Sequence, residues 1–253
     1  MNGAAARAPL FLWGGGWCML APRLHNRPHR HVAASLLVGL REPISVQLAG
    51  HWLSAEAVWA APDVNQALSS DGPVAVIHLD PDHRAWRCLG LEGPGGVFPL
   101  HDHAAVAACL RTLDGQRDAA AALALRQALE HGEPRPLDPR VAQACRALRD
   151  GDGELSGVLL AEQVGLSESR LRHLFRAQVG VTLKRFQLHL KCQRALILWR
   201  DGMSLTDLAL AAGFYDQPHL NRTLRAMFDT PPSRYARTFP VRVEHLGQRA
   251  AMC

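Results

Sequence analysis

Short apolar runs separated by turn residues occupy the first third of the chain. Val32–Leu40, Ile44–Leu48, Ala55–Trp59 and Val74–Leu79 are bounded by clusters such as Arg41-Glu42-Pro43, Ala61-Pro62-Asp63 and Ser70-Asp71-Gly72-Pro73. Runs of this kind predict β-strands, and their recurrence every ten residues or so predicts a small antiparallel barrel or sandwich over residues 10–90. The period changes after Gly95-Gly96. Ala104–Leu113 and Ala119–Leu129 are rich in Ala and Leu with helical spacing, and Leu123, Ala124 and Ala128 are expected to share a face. Two helices split near Asp114-Gly115 would form a hairpin. His131–Leu137, with two prolines, reads as a linker. Asp138-Pro139 then supplies an N-cap and a first-turn proline for a helix through Val141–Leu148. From there the pattern is helical, with a strand signal only at Val241–Val243.

Two segments of the helical part share one plan. In the first, Leu159–Val164 is followed by Gly165-Leu166-Ser167 and a second helix over Glu168–Val179. In the other, Leu205–Ala212 is followed by Gly213-Phe214-Tyr215 and a second helix over Asp216–Phe228. Small alanines let paired helices approach, and glycine accepts the left-handed turn between them, which is the helix-turn-helix plan. Ser167 caps the second helix of the first unit, and Ser204 with Asp207 approximates a capping box for the second. Leu171, Leu174, Phe175, Gln178 and Val179 fall on one side of the first candidate reading helix, and Leu220, Leu224 and Phe228 on one side of the other. The opposite sides carry Ser169, Arg170, Arg172, His173 and Arg176, then Gln217, His219, Asn221, Arg222 and Arg225. Arg, Asn and Gln have the donor and acceptor geometry that reads base edges in the major groove. Between the units, Thr182–Arg200 reads as one helix spanning roughly 28 Å. Such a strut sets two reading helices about one DNA turn, roughly 34 Å, apart.

Charge agrees with a polyanion partner for this half. The 253 residues carry a formal net charge of +5, yet from Asp138 onward 17 Lys and Arg face 11 Asp and Glu, so the whole surplus lies there. At 48% apolar and 20% charged residues the composition is that of a folded globular chain. No run of 18 apolar residues predicts a spanning helix. Ala8–Ala21 has the outline of a signal peptide, but Gly14-Gly15-Gly16 interrupts it and no clear small-residue cleavage site follows. Cys18, Cys88, Cys109, Cys145, Cys192 and Cys253 are scattered without a CxxC pair, which disfavours a zinc module or disulfide framework and favours a reducing cytoplasm.

The spacing of Ala161, Gly165, Leu166, Ser167, Leu171, Leu174, Phe175 and Gly180 continues through Ala209, Gly213, Phe214, Leu220, Thr223 and Leu224 to Pro232-Ser233-Arg234-Tyr235. This pattern resembles the DNA-binding domain of the AraC/XylS family of bacterial transcription regulators, over Asp138 to Thr238. The resemblance implies base contacts from Ser169, Arg172, His173, Gln217, Asn221 and Arg222, and phosphate contacts from Arg176, Lys184 and Arg225. The sequence departs from the family at Leu220 and Leu224, where an aromatic is common, at Asp229, where glycine is usual, and at Pro218, often a polar contact position. Residues 10–90 more distantly resemble the family's cupin-like sensor barrel. The expected fold class is therefore α+β. It comprises a cupin-like antiparallel β-barrel over 1–98, a helical dimerisation hairpin over 99–130, a linker over 131–137, and an all-α domain with two helix-turn-helix motifs over 138–240.

His29-Arg30-His31 has the HxH form of metal cupins, but Ser35 and Leu36 stand near the place of the glutamate, and Asn65 and Gln66 near that of the later histidine. Histidine clusters at His25, His29 and His31, at His78 and His83, and at His101 and His103 keep transition-metal sensing as an alternative. Trp13, Trp17, Trp52, Trp59 and Trp86 fit either core packing or the mouth of a pocket for a small organic effector. His29, His31, Trp52, Trp59 and His78 are the effector candidates. The resemblance implies a non-enzymatic cytoplasmic regulator with double-stranded DNA, a second copy of the chain, and RNA polymerase as partners. A cupin-type metal oxygenase is the enzymatic alternative, although the chain has no Ser-His-Asp, P-loop or GxGxxG signature.

Overall fold

The computed structural model describes residues 8–151, 155–199, 202–229 and 241–246. Its first part is a pair of facing sheets built from β1 (Ala8–Trp13), β2 (Gly16–Ala21), β3 (Leu24–His25), β4 (His29–Arg30), β5 (Ala34–Gly39), β6 (Ile44–Leu48), β7 (His51–Ala55), β8 (Ala57–Ala60), β9 (Asn65–Ser70), β10 (Val74–Leu79) and β11 (Gly95–Val97). A short helix, α1 (Arg84–Cys88), interrupts them; α2 (Ala104–Gln116) and α3 (Ala119–Leu129) follow. The larger sheet has the order β11-β8-β5-β10-β2-β1 and receives β12 (Val241–His245) beside β1; the smaller has the order β3-β9-β6-β7, with β4 also on β9. Among the described residues every pairing is antiparallel except β1 with β12, so the chain returns from its helical part to close the edge of the first sheet.

Burial explains why the strands of the large sheet read as unbroken apolar runs. On β10, Val74 and Val76 point between the sheets, whereas Ala75, Ile77 and Leu79 pack with Trp86 of α1, Leu110 and Leu113 of α2, and Leu125 and Leu129 of α3. A sheet covered on both faces needs apolar residues at every position. On β6 only Ile44, Val46 and Leu48 are fully buried, because its other face meets water. The apolar stretch at Ala8–Ala21 is the β1–β2 hairpin. Gly15 turns it at φ +91°, and a Cβ there would lie 2.0 Å from the His83 ring. On α3 the buried face is Ala121, Ala122, Leu125 and Leu129; Leu123 points outward, Ala124 and Ala128 are half-buried, and the expected face is thus rotated from the one the hairpin buries.

The helical part comprises α4 (Pro139–Asp150), α5 (Gly157–Gln163), α6 (Glu168–Val179), α7 (Leu183–Leu198), α8 (Leu205–Ala211) and α9 (Gln217–Phe228). Side-chain caps open each of them: Asp138, Ser156, Ser167, Thr182, Ser204 and Asp216 accept from backbone N–H groups of the first turn. Val141, Leu148, Leu160, Leu171, Phe175, Phe186, Leu190, Leu208, Leu220 and Leu224 form its core. The Pro232–Tyr235 part of the family pattern lies outside the described residues.

Candidate functional site: a helix-turn-helix pair and a histidine-lined cavity

In both units a glycine in left-handed conformation separates the helices, Gly165 at φ +66° and Gly213 at φ +80°. Behind each, a backbone N–H reaches back to an alanine carbonyl, Leu166 N to Ala161 O at 2.9 Å and Phe214 N to Ala209 O at 2.8 Å. The two turns are thus the same construction. Packing against the core then orients the second helices. Leu171, Phe175 and Val179 are buried on α6, so Ser169, Arg170, Arg172, His173 and Arg176 are left exposed. Leu174 and Gln178 are half-buried, and Gln178 Oε1 accepts from the Asp138 N–H at 2.7 Å. Arg172 pairs with Glu168 one turn earlier, a contact that a base edge would have to displace.

On α9 the buried residues are Leu220, Thr223, Leu224 and Met227, which leaves Arg222 and Arg225 exposed. Pro218 stands in the first turn of α9, where its missing N–H costs nothing. Gln217, His219 and Asn221 are half-buried: the Gln217 carbonyl oxygen accepts from the Thr206 hydroxyl at 3.1 Å, and the His219 ring stands edge-on to Phe214. Asn221 Oδ1 is buried without a partner. Lys184 is exposed at the start of α7, the helix that bridges the two units.

A second constellation lies between the sheets, and strand register assembles it. His78 on β10 faces Trp17 across one neighbour and Ser35 across the other, while His29 on β4 faces Gln66 on β9. Gln66 Nε2 donates to Ser35 Oγ at 2.6 Å, which ties the small sheet to the large one. The His31 ring stands edge-on to His78 with centroids 3.9 Å apart, and Trp17 stacks on His78 at 4.2 Å. Trp17, His29, His31, Gln66 and His78 line a cavity of about 50 Å³ with Met19, Leu24, Leu37, Leu68 and Val76 as apolar wall.

Two of the sequence candidates are not brought there. Trp52 is 57% exposed on β7, and Trp59 packs on Trp86 on the opposite side of the large sheet. Trp17 takes the aromatic place instead. Its signal was its position opposite His78 in the β2–β10 register, which no local pattern reveals.

The cavity histidines are uncharged near neutrality. Burial lowers the pKa of His29, against the opposing pulls of the Arg27 carbonyl and Asp229. Burial also holds His31 and His78 well below the ordinary imidazole value, and mutual repulsion among the histidines adds to it. His29 Nδ1 lies 2.6 Å from the Arg27 carbonyl, which can only accept, so this nitrogen carries the hydrogen and Nε2 offers a lone pair. His31 Nε2, 2.7 Å away, is then the donor to His29. Among the described residues no set of three His, Cys, Asp or Glu side chains is disposed to hold a metal ion. Ser35 and Gln66, near the positions where the HxH pattern calls for further ligands, are bonded to each other and supply no anionic donor.

The cavity is closed from the helical side. Phe228, the last residue of α9, lies against it with its ring 5.1 Å from His31 and 6.3 Å from Trp17. Asp229 follows in the left-handed conformation at φ +54° and accepts from the Arg27 backbone N–H at 2.8 Å and from its Nε at 3.0 Å. The departure from glycine at this position thus coincides with an ion pair to the strand part. Further contacts join the halves: Arg185 of α7 to Asp63, and Arg149 of α4 to Asp80 and Asp82.

Residues 160–238 match a family model described as a helix-turn-helix domain. Over 103 residues the chain is 31% identical to the arabinose operon regulatory protein of Escherichia coli, which spans 40% of this chain and 35% of that protein. Over 95 residues it is 30% identical to the transcriptional regulator CdhR of Pseudomonas aeruginosa, or 37% of this chain and 28% of that one. The chain therefore spans only about a third of the length of these curated relatives. Among solved structures, an apo single-residue variant of ToxT from Vibrio cholerae superposes with a TM-score of 0.60 over 89% of this chain and 98% of that one, at 8% identity. Wild-type ToxT bound to an unsaturated fatty acid superposes with a TM-score of 0.56 over 93% and 96%, at 9% identity. Together with the paired turns, these likenesses establish that the chain carries a helix-turn-helix domain over residues 160–238, similar in sequence to that of the arabinose operon regulator, behind a two-sheet part that shares the fold of ToxT.

Proposed function

We propose that the protein is a sequence-specific, DNA-binding transcription regulator of the AraC/XylS type whose activity responds to a small effector held between the two sheets. One observation carries the reading: two helix-turn-helix units of the same construction are bridged by α7, and the arginines of both second helices are exposed. Ser169, Arg172, His173, Gln217, Asn221 and Arg222 read bases in two major grooves; Arg170, Arg176, Lys184, His219 and Arg225 complete the DNA-facing set. His29, His31 and His78, joined by Gln66 and Trp17, receive the effector. On the family resemblance, residues 1–98 are the sensor, 99–130 pair with a second copy, 131–137 link, and 138–240 bind DNA. RNA polymerase is a further partner and the cytoplasm the compartment. The reading is non-enzymatic: the curated relatives are regulators, and the donor set between the sheets lacks the carboxylate that a cupin-type oxygenase employs.

Binding to the DNA upstream of its own gene tests this. Arg172→Ala and Arg222→Ala are each expected to cost about 1–3 kcal/mol and to relax preference at one base. Arg176→Ala and Arg225→Ala should weaken specific and random DNA alike and each reduce the salt slope by about one. Unchanged affinity in the Arg172→Ala/Arg222→Ala variant, measured by titration at two salt concentrations, overturns the assignment.

A further inference from the structure

The cavity between the sheets is too small for a metabolite as it stands. At about 50 Å³ it has room for only a few waters. Part of its wall is a side chain of the helix read as DNA-reading, the Phe228 ring, which lies over His31, Trp17 and His78. The cavity nevertheless carries the marks of a binding site. Gln66 Oε1 and His78 Nδ1 are buried without a hydrogen-bond partner, and such atoms call for one. Among the described residues no Lys, Arg, Asp or Glu side chain is part of the lining, so a charged ligand would meet no counter-charge in direct contact there.

We propose that the cavity seats an uncharged amphipathic effector, its hydroxyl- or amide-type head bonded to Gln66 and His78 and its apolar body in the place of the Phe228 ring, so that binding frees the last turn of α9 from the sheets. The proposal rests on the reading of α9 as a DNA-reading helix and adds how the effector reaches it. Ligand and Phe228 compete for one seat, so the cost of expelling the ring is subtracted from the affinity. The displaced residue is next to Asp229, whose pairing with Arg27 is the other hold of the strand part on this end of α9. Occupancy is thereby felt at the helix that carries Arg222 and Arg225.

The test uses the full chain with 13C-methyl methionine, since Met19 lines the cavity and Met227 precedes Phe228. Benzyl alcohol serves as the uncharged probe and benzoate as its anionic counterpart. Benzyl alcohol is expected to shift the Met19 resonance saturably and to speed amide exchange over residues 220–228. Phe228→Ala should bind it roughly tenfold tighter, as the competing ring is gone, and should show the faster exchange without ligand. Gln66→Leu, which keeps Phe228 in place, should weaken benzyl alcohol severalfold and leave toluene unchanged. Benzoate should bind at least tenfold more weakly than the alcohol. Equal affinity in wild type and Phe228→Ala, a Met19 response without faster exchange in α9, tighter binding of benzoate, or no saturable response in any variant overturns the proposal. Failure of the gene-regulation reading is seen separately, as loss of DNA discrimination in a protein whose Met19 response is intact.

Discussion

Asp80 and Asp82, just beyond the end of β10, face a single guanidinium from the helical half. Arg149 donates to Asp80 at 2.8 Å and to Asp82 at 2.6 and 3.0 Å, while His189 and Gln193 of α7 complete the shell of Asp80 at 2.8 and 2.7 Å. Burial alone would raise the pKa of Asp80, but the charges of Arg149 and His189 and their hydrogen bonds hold it far below the usual carboxylate range. Deleting one partner of such a pair leaves an uncompensated buried charge. Arg149→Met is therefore expected to destabilise the fold by about 3–5 kcal/mol, nearer the lower figure because His189 and Gln193 remain. The Arg149→Met/Asp80→Asn double variant should recover part of that loss. Urea denaturation of the four proteins of the cycle checks both statements, and strictly additive effects would refute the pairing as a source of stability. None of this network was legible in the sequence. It joins positions about seventy to a hundred and ten residues apart, and long-range ion pairs have no local period.

Local rules govern the elements, and there the sequence was informative. Caps at Asp138, Ser167 and Ser204 and the glycine turns follow from hydrogen bonds within a few residues, so α4, α6, α8 and α9 fall within one or two residues of their predicted bounds. The first helix of the first unit, α5, also begins two residues before its expected Leu159, at Gly157 behind the Ser156 cap, whereas the short α1 has no periodic apolar stripe to announce it. The β1–β2 hairpin was obscured for a different reason: a strand buried on both faces has the composition of a leader segment. The two turn glycines allow a test at this scale. Gly165 lies at φ +66° with nothing within 4 Å of a Cβ built on it, so only the backbone conformation resists substitution. Gly165→Val should cost about 1–2 kcal/mol, and Gly165→Asn, which tolerates the left-handed region, distinctly less. Thermal melts should rank wild type, Asn and Val in that order. Equal losses for Asn and Val would mean that space, not φ, decides the position.

Across the whole molecule, the described residues tie strand and helical parts by ion pairs at three places: Asp80 with Arg149, Asp63 with Arg185, and Asp229 with Arg27 beside the Phe228 seat. Around that seat His29, His31 and His78 are neutral in the folded protein because burial disfavours their charged forms. Once unfolded, each regains an ordinary imidazole value of about 6.5. Below that pH the unfolded chain binds more protons than the native one, so stability falls as the solution is acidified. The depressed carboxyl of Asp80 acts with the same sign but in a lower window. Its contribution is intact above the ordinary carboxylate value of about 3.9 and is lost only in stronger acid. Between pH 7.5 and 5.5, therefore, the decline should belong to the buried imidazoles. The wild-type melting temperature is expected to drop by several degrees over that interval, and the His31→Gln/His78→Gln variant should show a distinctly flatter profile whatever its absolute stability. A variant that retains the full wild-type slope would place the titration elsewhere. If an uncharged ligand occupies the seat, it binds the folded form with these imidazoles neutral. Benzyl alcohol should accordingly raise the melting temperature by a similar amount at pH 7.5 and at 5.5, because a ligand that takes up no proton on binding stabilises the folded form by an amount set by its concentration and affinity alone; a distinctly smaller gain at 5.5 would mean that a lining imidazole is charged there.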